Sequence, residues 1–515
     1  MTHYQPVNPH LSAAHYSLTA FDSQQSDSFP YPVAPGRFEV DLLTLPRVLG
    51  GPVNITCLAS ARPGRMWAMG TDRVTLVDVS DGRFEPLASL PLPGVDPIPD
   101  ESLARLAATE LESVEQTEAM ARELFGAHPE QRTSNGLYTV ADGDDVVYVN
   151  AGSVIHAITV ADPDDPSAGL VVLRSLDTTE FFTPFQLPGA EPMVKLIGMN
   201  LTYDGHLVLG GFGQMAVVDR TFSMQPHVHE FPAGQLLSNS FSVDADGGIY
   251  VATGSLMPRG AGLMHKLVWT GSTLSTDPAD GAWCAEYPGG DWAPAVKFGT
   301  GTGSTPTLMG FGPDDDQLVI ITDGQNRMRL TAFWRNDLPA GVTDRIADAI
   351  AVTCGLGDEV AWIQSEQSVA TLDRGALVVN NVTPEGQSDR LIDVLVSGPL
   401  VRPAFGVERF EWDPSVHRWA SVWTRDDLAS ISQVPVISQA SRMALVNTFG
   451  SEDGWEVTGV DWETGRTVHR TVFGKVTAGN GAYALVQMLP GGDMIFTSIA
   501  GPVRVPLSSA VPSSL

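Results

Sequence analysis

Gly299-Thr300-Gly301-Thr302-Gly303-Ser304-Thr305-Pro306-Thr307-Leu308-Met309-Gly310 leads through the turn-forming Asp314-Asp315-Asp316 into the apolar run Leu318-Val319-Ile320-Ile321-Thr322. Its order is a polar start, a short strand, an Asp/Gly turn and a second strand. The glycines suggest a phosphate loop, but no Lys-Ser/Thr pair follows and Pro306 opposes a helix start. The stretch therefore reads as one copy of a strand-turn-strand unit.

Aligning the chain on the more apolar second strand finds the unit again. Asn54 to Leu58 precedes Met66-Trp67-Ala68-Met69, Asn135 to Val140 precedes Val146 to Val149, and Lys195 to Met199 precedes His206 to Leu209. Asn239 to Val243 precedes Ile249 to Ala252, and Glu366 to Ala370 precedes Leu377-Val378-Val379. A weaker copy runs from about Ser432 to Val446, and a last one from Asn480 to Phe496. With the opening stretch this makes eight. Turn formers such as Asp204-Gly205 and Asp244-Ala245-Asp246-Gly247 stand between the strands, because Asp, Asn and Gly tolerate the positive φ that a hairpin demands.

Third and fourth strands follow in places, as at Val74 to Val79 with Phe84 to Leu90. Four antiparallel strands per unit at a long period predict an all-β fold, a single β-propeller of eight blades, or seven if the weak copy is not a blade. Residues 1–36 form an N-terminal arm, 37–507 the propeller, and 508–515 a C-terminal tail. The last copy supplies three strands, so the isolated strand at 37–45 is expected to complete that blade and leave no open edge. An amphipathic helix is predicted over 100–126, with Asp100 at its start and Gly126 at its end. Residues 338–356 fit a helix or a strand equally.

Composition agrees with many turns and short strands: 51 Gly and 37 Pro, with 17% charged residues, in a chain of 515. A net charge of -30 repels nucleic acid and anionic membranes, so neither is an expected partner. Cys57, Cys284 and Cys354 are too few and too scattered for a disulfide framework. The first residues show neither a basic region nor an apolar one, and no run of about 18 apolar residues occurs, so a cytoplasmic location is expected. Oligomeric state is not legible.

In a propeller the first residues of each innermost strand gather near one mouth of the channel. Here they are Asn54, Asn135, Lys195, Asn239, Ser304 with Thr305, Glu366 with Gln367, about Ser432, and Asn480. Convergent polar groups of this kind define a candidate binding site. Asn, Ser and Thr also satisfy crowded backbone groups, which accounts for much of the ring without a ligand. Glu366 and Lys195 need more, since a buried charge is costly unless paired or used. Facing one cavity, Glu366 would act as general base and Lys195 would neutralise an oxyanion or a substrate carboxylate, with Asn54, Asn135, Asn239, Ser304, Thr305, Gln367 and Asn480 binding substrate.

Val77-Asp78-Val79-Ser80-Asp81-Gly82 and Val460-Asp461-Trp462-Glu463-Thr464-Gly465-Arg466 resemble the Asp-x-x-Thr-Gly turn of the quinoprotein, or PQQ-like, propeller repeats. That resemblance implies a propeller, commonly of eight blades. Where the family usually has tryptophan four residues after the glycine, this chain has Pro86 and His469, and the adjacent cysteine pair of the quinoprotein alcohol dehydrogenases is missing. PQQ itself is therefore not expected.

His227 and His229 alternate on a strand without a third ligand of known position, and Asp244-Ala245-Asp246-Gly247 lacks the distal Glu of a calcium loop. No metal site and no cofactor is assigned. The expected function is non-redox acid/base chemistry on a small organic ligand, hydrolysis or elimination/isomerisation. Two alternatives stand beside it: a non-catalytic interaction scaffold, and a metal-dependent lactonase-like hydrolase, for which Asp22 or Asp27 of the arm would have to add carboxylates to the ring.

Overall fold

Leu318–Thr322 is buried on both faces, and its alternation divides it between two cores. Leu318 and Ile320 pack with Ala376, Val378 and Phe410 on one side, whereas Val319 and Ile321 pack with Tyr250, Ala252 and Met264 on the other. A strand whose two faces meet different neighbouring sheets is the packing of a propeller blade. The computed structural model describes residues 5–514 except 54–55, 127–128, 130–134, 137, 188–190, 295–296 and 385–389. Within it the strands form eight sheets, most of them four-stranded antiparallel meanders such as Thr307–Met309, Leu318–Thr322, Arg329–Trp334 and Ile346–Ala351. The segment that fitted helix or strand equally is thus the outer strand of the fifth sheet.

The turns are fixed by their first aspartate. Asp244 Oδ1 accepts from the amides of Asp246 (3.0 Å) and Gly248 (2.8 Å), and its Oδ2 accepts from the Tyr250 hydroxyl (2.7 Å). Asp142 repeats this with Asp144, Val146 and Tyr148, so the calcium-loop look-alike at 244–247 is turn chemistry. At Asp461, Oδ1 accepts from the Thr464 amide (2.8 Å) and hydroxyl (2.6 Å), and Gly465 takes φ 69° to close the turn.

Closure differs from the sequence expectation. Gly36–Glu39, from the strand placed at 37–45, does not join the last sheet; it adds in parallel to Thr467–Gly474, the outer strand of the seventh. Phe38 lies against the His469 ring at 5.4 Å, and Arg37 forks onto Asp453 with two 3.0 Å bonds, which together hold it there. The three-stranded last sheet is met instead by the segment just beyond, where the Val48 amide donates to Pro502 O (3.1 Å) and Arg47 bridges Val503.

The helical insertion is also corrected. It consists of two helices, α1 (Asp100–Ala108) and α2 (Val114–Phe125), with Ser113 capping the second and Gly126 ending it. Asp100 pairs with Arg73 rather than capping. The break occurs because Glu110 bridges Val476 and Thr109 O accepts from the Thr477 amide, drawing the chain onto the body. A third helix, α3 (Arg390–Val396), packs against α2 in the same core.

The N-terminal arm goes into the channel. Its residues Tyr16, Leu18, Phe21 and Phe29 are buried, as are Ser17 and every residue from Asp22 to Ser28. Its backbone and side chains bond to an inner strand of each sheet in turn. Tyr16 O accepts from Ala59, Ser17 O from Ala141, Ser23 O from Asn200 and Val243, Gln24 O from Leu308, Ser26 O from Thr371 and Asp27 O from Ile437. The Tyr16 hydroxyl completes the circuit on Met488, donating to its carbonyl and accepting from its amide.

No helix among the described residues is long and apolar enough to cross a membrane. Truncating the arm's aromatic core is predicted to be severe. Phe21→Ala, at a site 1% exposed and 4.7 Å from the Tyr16 ring, should cost about 3–5 kcal/mol in denaturant unfolding. A loss under about 1 kcal/mol would mean that the arm is not part of the core.

Candidate functional site

The arm crosses the later residues of the inner strands, so a chamber is left between it and the starts of those strands. Thr56, Tyr138, Asn239, Thr305, Glu366, Gln367, Ser368 and Tyr483 line it, together with Thr19, Gln25 and Asp27 of the arm and Arg390, the first residue of α3. Its volume of about 70 Å³ holds a few waters or a small ligand.

Glu366 is buried, and its carboxylate stands 3.8 Å from the Arg390 guanidinium and within hydrogen-bond reach of the Tyr483 hydroxyl. Burial pushes its pKa above the ordinary carboxylate value, and the nearby guanidinium only partly opposes this. Arg390 lies 4.7 Å over the Tyr483 ring, with its side chain 30% exposed. The Tyr138 hydroxyl donates to Asn239 Oδ1, while Asn239 Nδ2 donates to Gly303 O (2.5 Å) and Glu366 O (3.2 Å). Tyr138 (φ 50°) and Tyr483 (φ 63°) hold left-handed backbone, at roughly 1–3 kcal/mol each. Such cost is met where side-chain placement outweighs local comfort.

The cation beside Glu366 is not Lys195. Lys195 turns to aromatic faces, 5.0 Å from Phe298 and 5.9 Å from Phe212, and does not line the chamber. Desolvation there lowers its pKa to about 8, with Arg390 adding to the effect. Arg390 is that cation, and Lys297, buried with Nζ donating to Gln364 Oε1 at 2.7 Å, also feels the Glu366 charge. Burial lowers it to about 8, against the pull of Glu366 and Asp323. Gly303 makes room for both, since a Cβ there would lie 2.5 Å from Glu366 Cα and 3.1 Å from Lys297 Cε.

Of the remaining expected residues, Asn239, Thr305 and Gln367 do line the chamber. Three do not, because each is engaged in holding loops. Asn135 donates to Thr71 O (3.1 Å), Ser304 bonds Thr322 Oγ1 (2.6 Å) and Gln367 O (3.0 Å), and Asn480 donates to Val394 O (2.8 Å), tying down α3. Asn54 lies outside the described residues. The sequence reading missed Tyr138, Arg390, Lys297 and Tyr483. Tyr138 and Tyr483 stand in inner-strand segments the alignment had found, so a count of large polar side chains there would have raised them.

Asp27 reaches the chamber from the arm, as the metal-dependent alternative required, but among the described residues no group of three or more His, Cys, Asp or Glu is placed to hold a metal. His227 and His229 lie on the outer strand His227–Glu230 against Trp269 and Phe231. Cys57 and Cys354 are buried thiols, and Cys284 is exposed.

No family model matches the chain. A protein of Archaeoglobus fulgidus, named only as uncharacterized, is 30% identical over 339 residues; the match covers 62% of this chain and spans 63% of that protein's length. Among solved structures, the quinohemoprotein alcohol dehydrogenase of Comamonas testosteroni superposes with a TM-score of 0.53 at 11% identity, over 96% of this chain and 77% of that one. A europium-containing methanol dehydrogenase gives 0.50 at 9%, over 93% and 88%. The fold shared with these structures is a β-propeller.

The arm's acid beneath the chamber makes stability depend on pH. Burial raises Asp22 to about 6, against hydrogen bonds from Ser26 that pull it down. A raised folded-state value stabilises below the ordinary carboxylate range, and that contribution is lost as pH rises through 6. Relative to Asp22→Asn, the wild type should therefore lose about 2 kcal/mol in urea unfolding between pH 4 and pH 7. A difference that stays flat or rises with pH would contradict this burial.

Proposed function

We propose that the central chamber binds a small polar organic molecule and that Glu366 transfers a proton to or from it, in a hydrolysis or an elimination/isomerisation. The observation that carries this is the Glu366 carboxyl itself, enclosed between Arg390 and Tyr483 with its proton affinity raised. A buried carboxyl whose proton affinity is raised is suited to donate in one step and accept in the next. Arg390, partly open to solvent, takes the role the sequence gave Lys195 and holds an anionic group of the ligand. Asn239, Thr305 and Gln367 orient it. We read each of the eight sheets as one blade, so that the inner strands converge on this single chamber.

PQQ does not suit these residues. A planar tricarboxylate would have to enter about 70 Å³ and face the Asp27 carboxyl, so no step is routed through it.

A second reading, an interaction scaffold, is favoured by a different feature. The arm fills much of the channel, while an open groove of about 800 Å³ runs beside the sixth and seventh sheets, bordered by Arg402, Phe405, Phe449 and Lys475. Ligand-induced stabilisation separates the two. Across a panel of small metabolites, a chamber ligand at a hundredfold excess over its Kd should stabilise the wild type by about 2.7 kcal/mol, and Glu366→Gln should abolish or strongly reduce that gain. A binding profile unchanged by Glu366→Gln would sink the assignment.

A further inference from the structure

Polar atoms inside proteins are nearly always hydrogen-bonded, so a cluster of unbonded ones marks a place where something else binds. Thr19 Oγ1, Gln25 Oε1, both carboxylate oxygens of Asp27, Gln367 Nε2 and Arg390 Nε are buried and have no partner among the described residues. All five residues line the central chamber.

They are sorted by chemistry. The arm side offers acceptors, with the two Asp27 oxygens, Gln25 Oε1 and the Thr19 hydroxyl on one short segment, and Asp27 is wholly buried. The rest of the lining offers donors and a positive charge. There Arg390 Nε and Gln367 Nε2 are the unbonded donors, and the Arg390 guanidinium, 3.8 Å from the Glu366 carboxylate, is the charged one. A chamber that offers unbonded acceptors, one of them an acid, together with unbonded donors, one of them a guanidinium, is complementary to a molecule carrying both an ammonium and a carboxylate.

We infer that the ligand of the central chamber is a small zwitterion of amino-acid size, its ammonium against Asp27, Gln25 and Thr19 and its carboxylate against Arg390. This rests on the reading of the chamber as the ligand site and narrows it to one ligand class. An ammonium supplies three donors to the acceptor-rich arm, and a carboxylate accepts from the guanidinium. A simple anion would leave the acceptors of Asp27, Gln25 and Thr19 without a donor, and a simple amine would leave the Arg390 and Gln367 donors unanswered. The volume of about 70 Å³ limits the molecule to few heavy atoms beyond the two charged groups.

The test is calorimetric titration of the full chain with glycine, β-alanine, N-acetylglycine and acetate, repeated on Asp27→Asn. Glycine or β-alanine should bind at least about tenfold more tightly than acetate and N-acetylglycine, which lack the ammonium. Asp27→Asn should remove that preference while leaving acetate affinity within about twofold. If acetate or N-acetylglycine binds the wild type as tightly as the amino acids, and Glu366→Gln weakens them, the zwitterion inference falls while the chamber remains the ligand site. Amino-acid binding that Asp27→Asn leaves untouched also overturns the inference, because the molecule then sits elsewhere. Failure of all four probes at millimolar concentration overturns it too, and the wild-type comparison holds even should the variant not fold.

Discussion

A propeller's inner strands converge on an axis where their side chains are too few to fill the space, and here the chain's own N-terminal segment fills it. Carbonyls of Tyr16, Ser17, Ser23, Gln24, Ser26 and Asp27, with the Tyr16 hydroxyl, bond to inner strands all the way round the ring. Each bond satisfies a backbone or side-chain group that a wider channel would leave to water. The aromatic residues of the same segment join the core of the seventh and eighth sheets and of α1, α2 and α3. One segment thus both closes the ring from inside and fixes the far wall of the chamber.

The chamber's electrostatics follow from that arrangement. Because the arm turns within the channel, Asp22 and Asp27 are carried out of solvent and their carboxyls gain proton affinity, chiefly through desolvation. α3 starts at Arg390, and its body is held by α2 and by Asn480, so the guanidinium is set over Tyr483 and beside Glu366. The helical insertion between the first and second sheets therefore works at a distance, as a buttress for the helix that brings in the arginine.

How much of this the sequence carried depends on whether a feature was local. The strand-turn-strand unit is local: Asp244 and Asp142 fold their own turns, and the apolar runs that follow pack on both faces, so the repeat and the propeller were legible. The arm was not, since its residues pair in ones and twos with one sheet after another and leave no period to detect. Alignment placed Glu366, Asn239, Thr305 and Gln367 at the right height, yet height does not fix side-chain direction. Lys195 turns toward Phe212 and Phe298, while Lys297, from the loop ahead of the fifth sheet, reaches Glu366 past Gly303. Arg390 belongs to an insertion inside the sixth sheet, between Gly375–Val379 and Val407–Asp413, which no repeat alignment covers. The strand at 37–45 was correctly isolated but misassigned, because an unpaired strand can join either of two neighbouring edges.

The central claim is that the arm is an integral wall of the channel, and amide hydrogen exchange reads it directly. The amides of Val243, Leu308, Thr371 and Ile437 each donate to an arm carbonyl. They should exchange only with global unfolding, at the same rate as amides in the middle of the sheets. If these four exchange fast while the sheets stay protected, the arm lies outside the channel and the account of the chamber built on it is wrong.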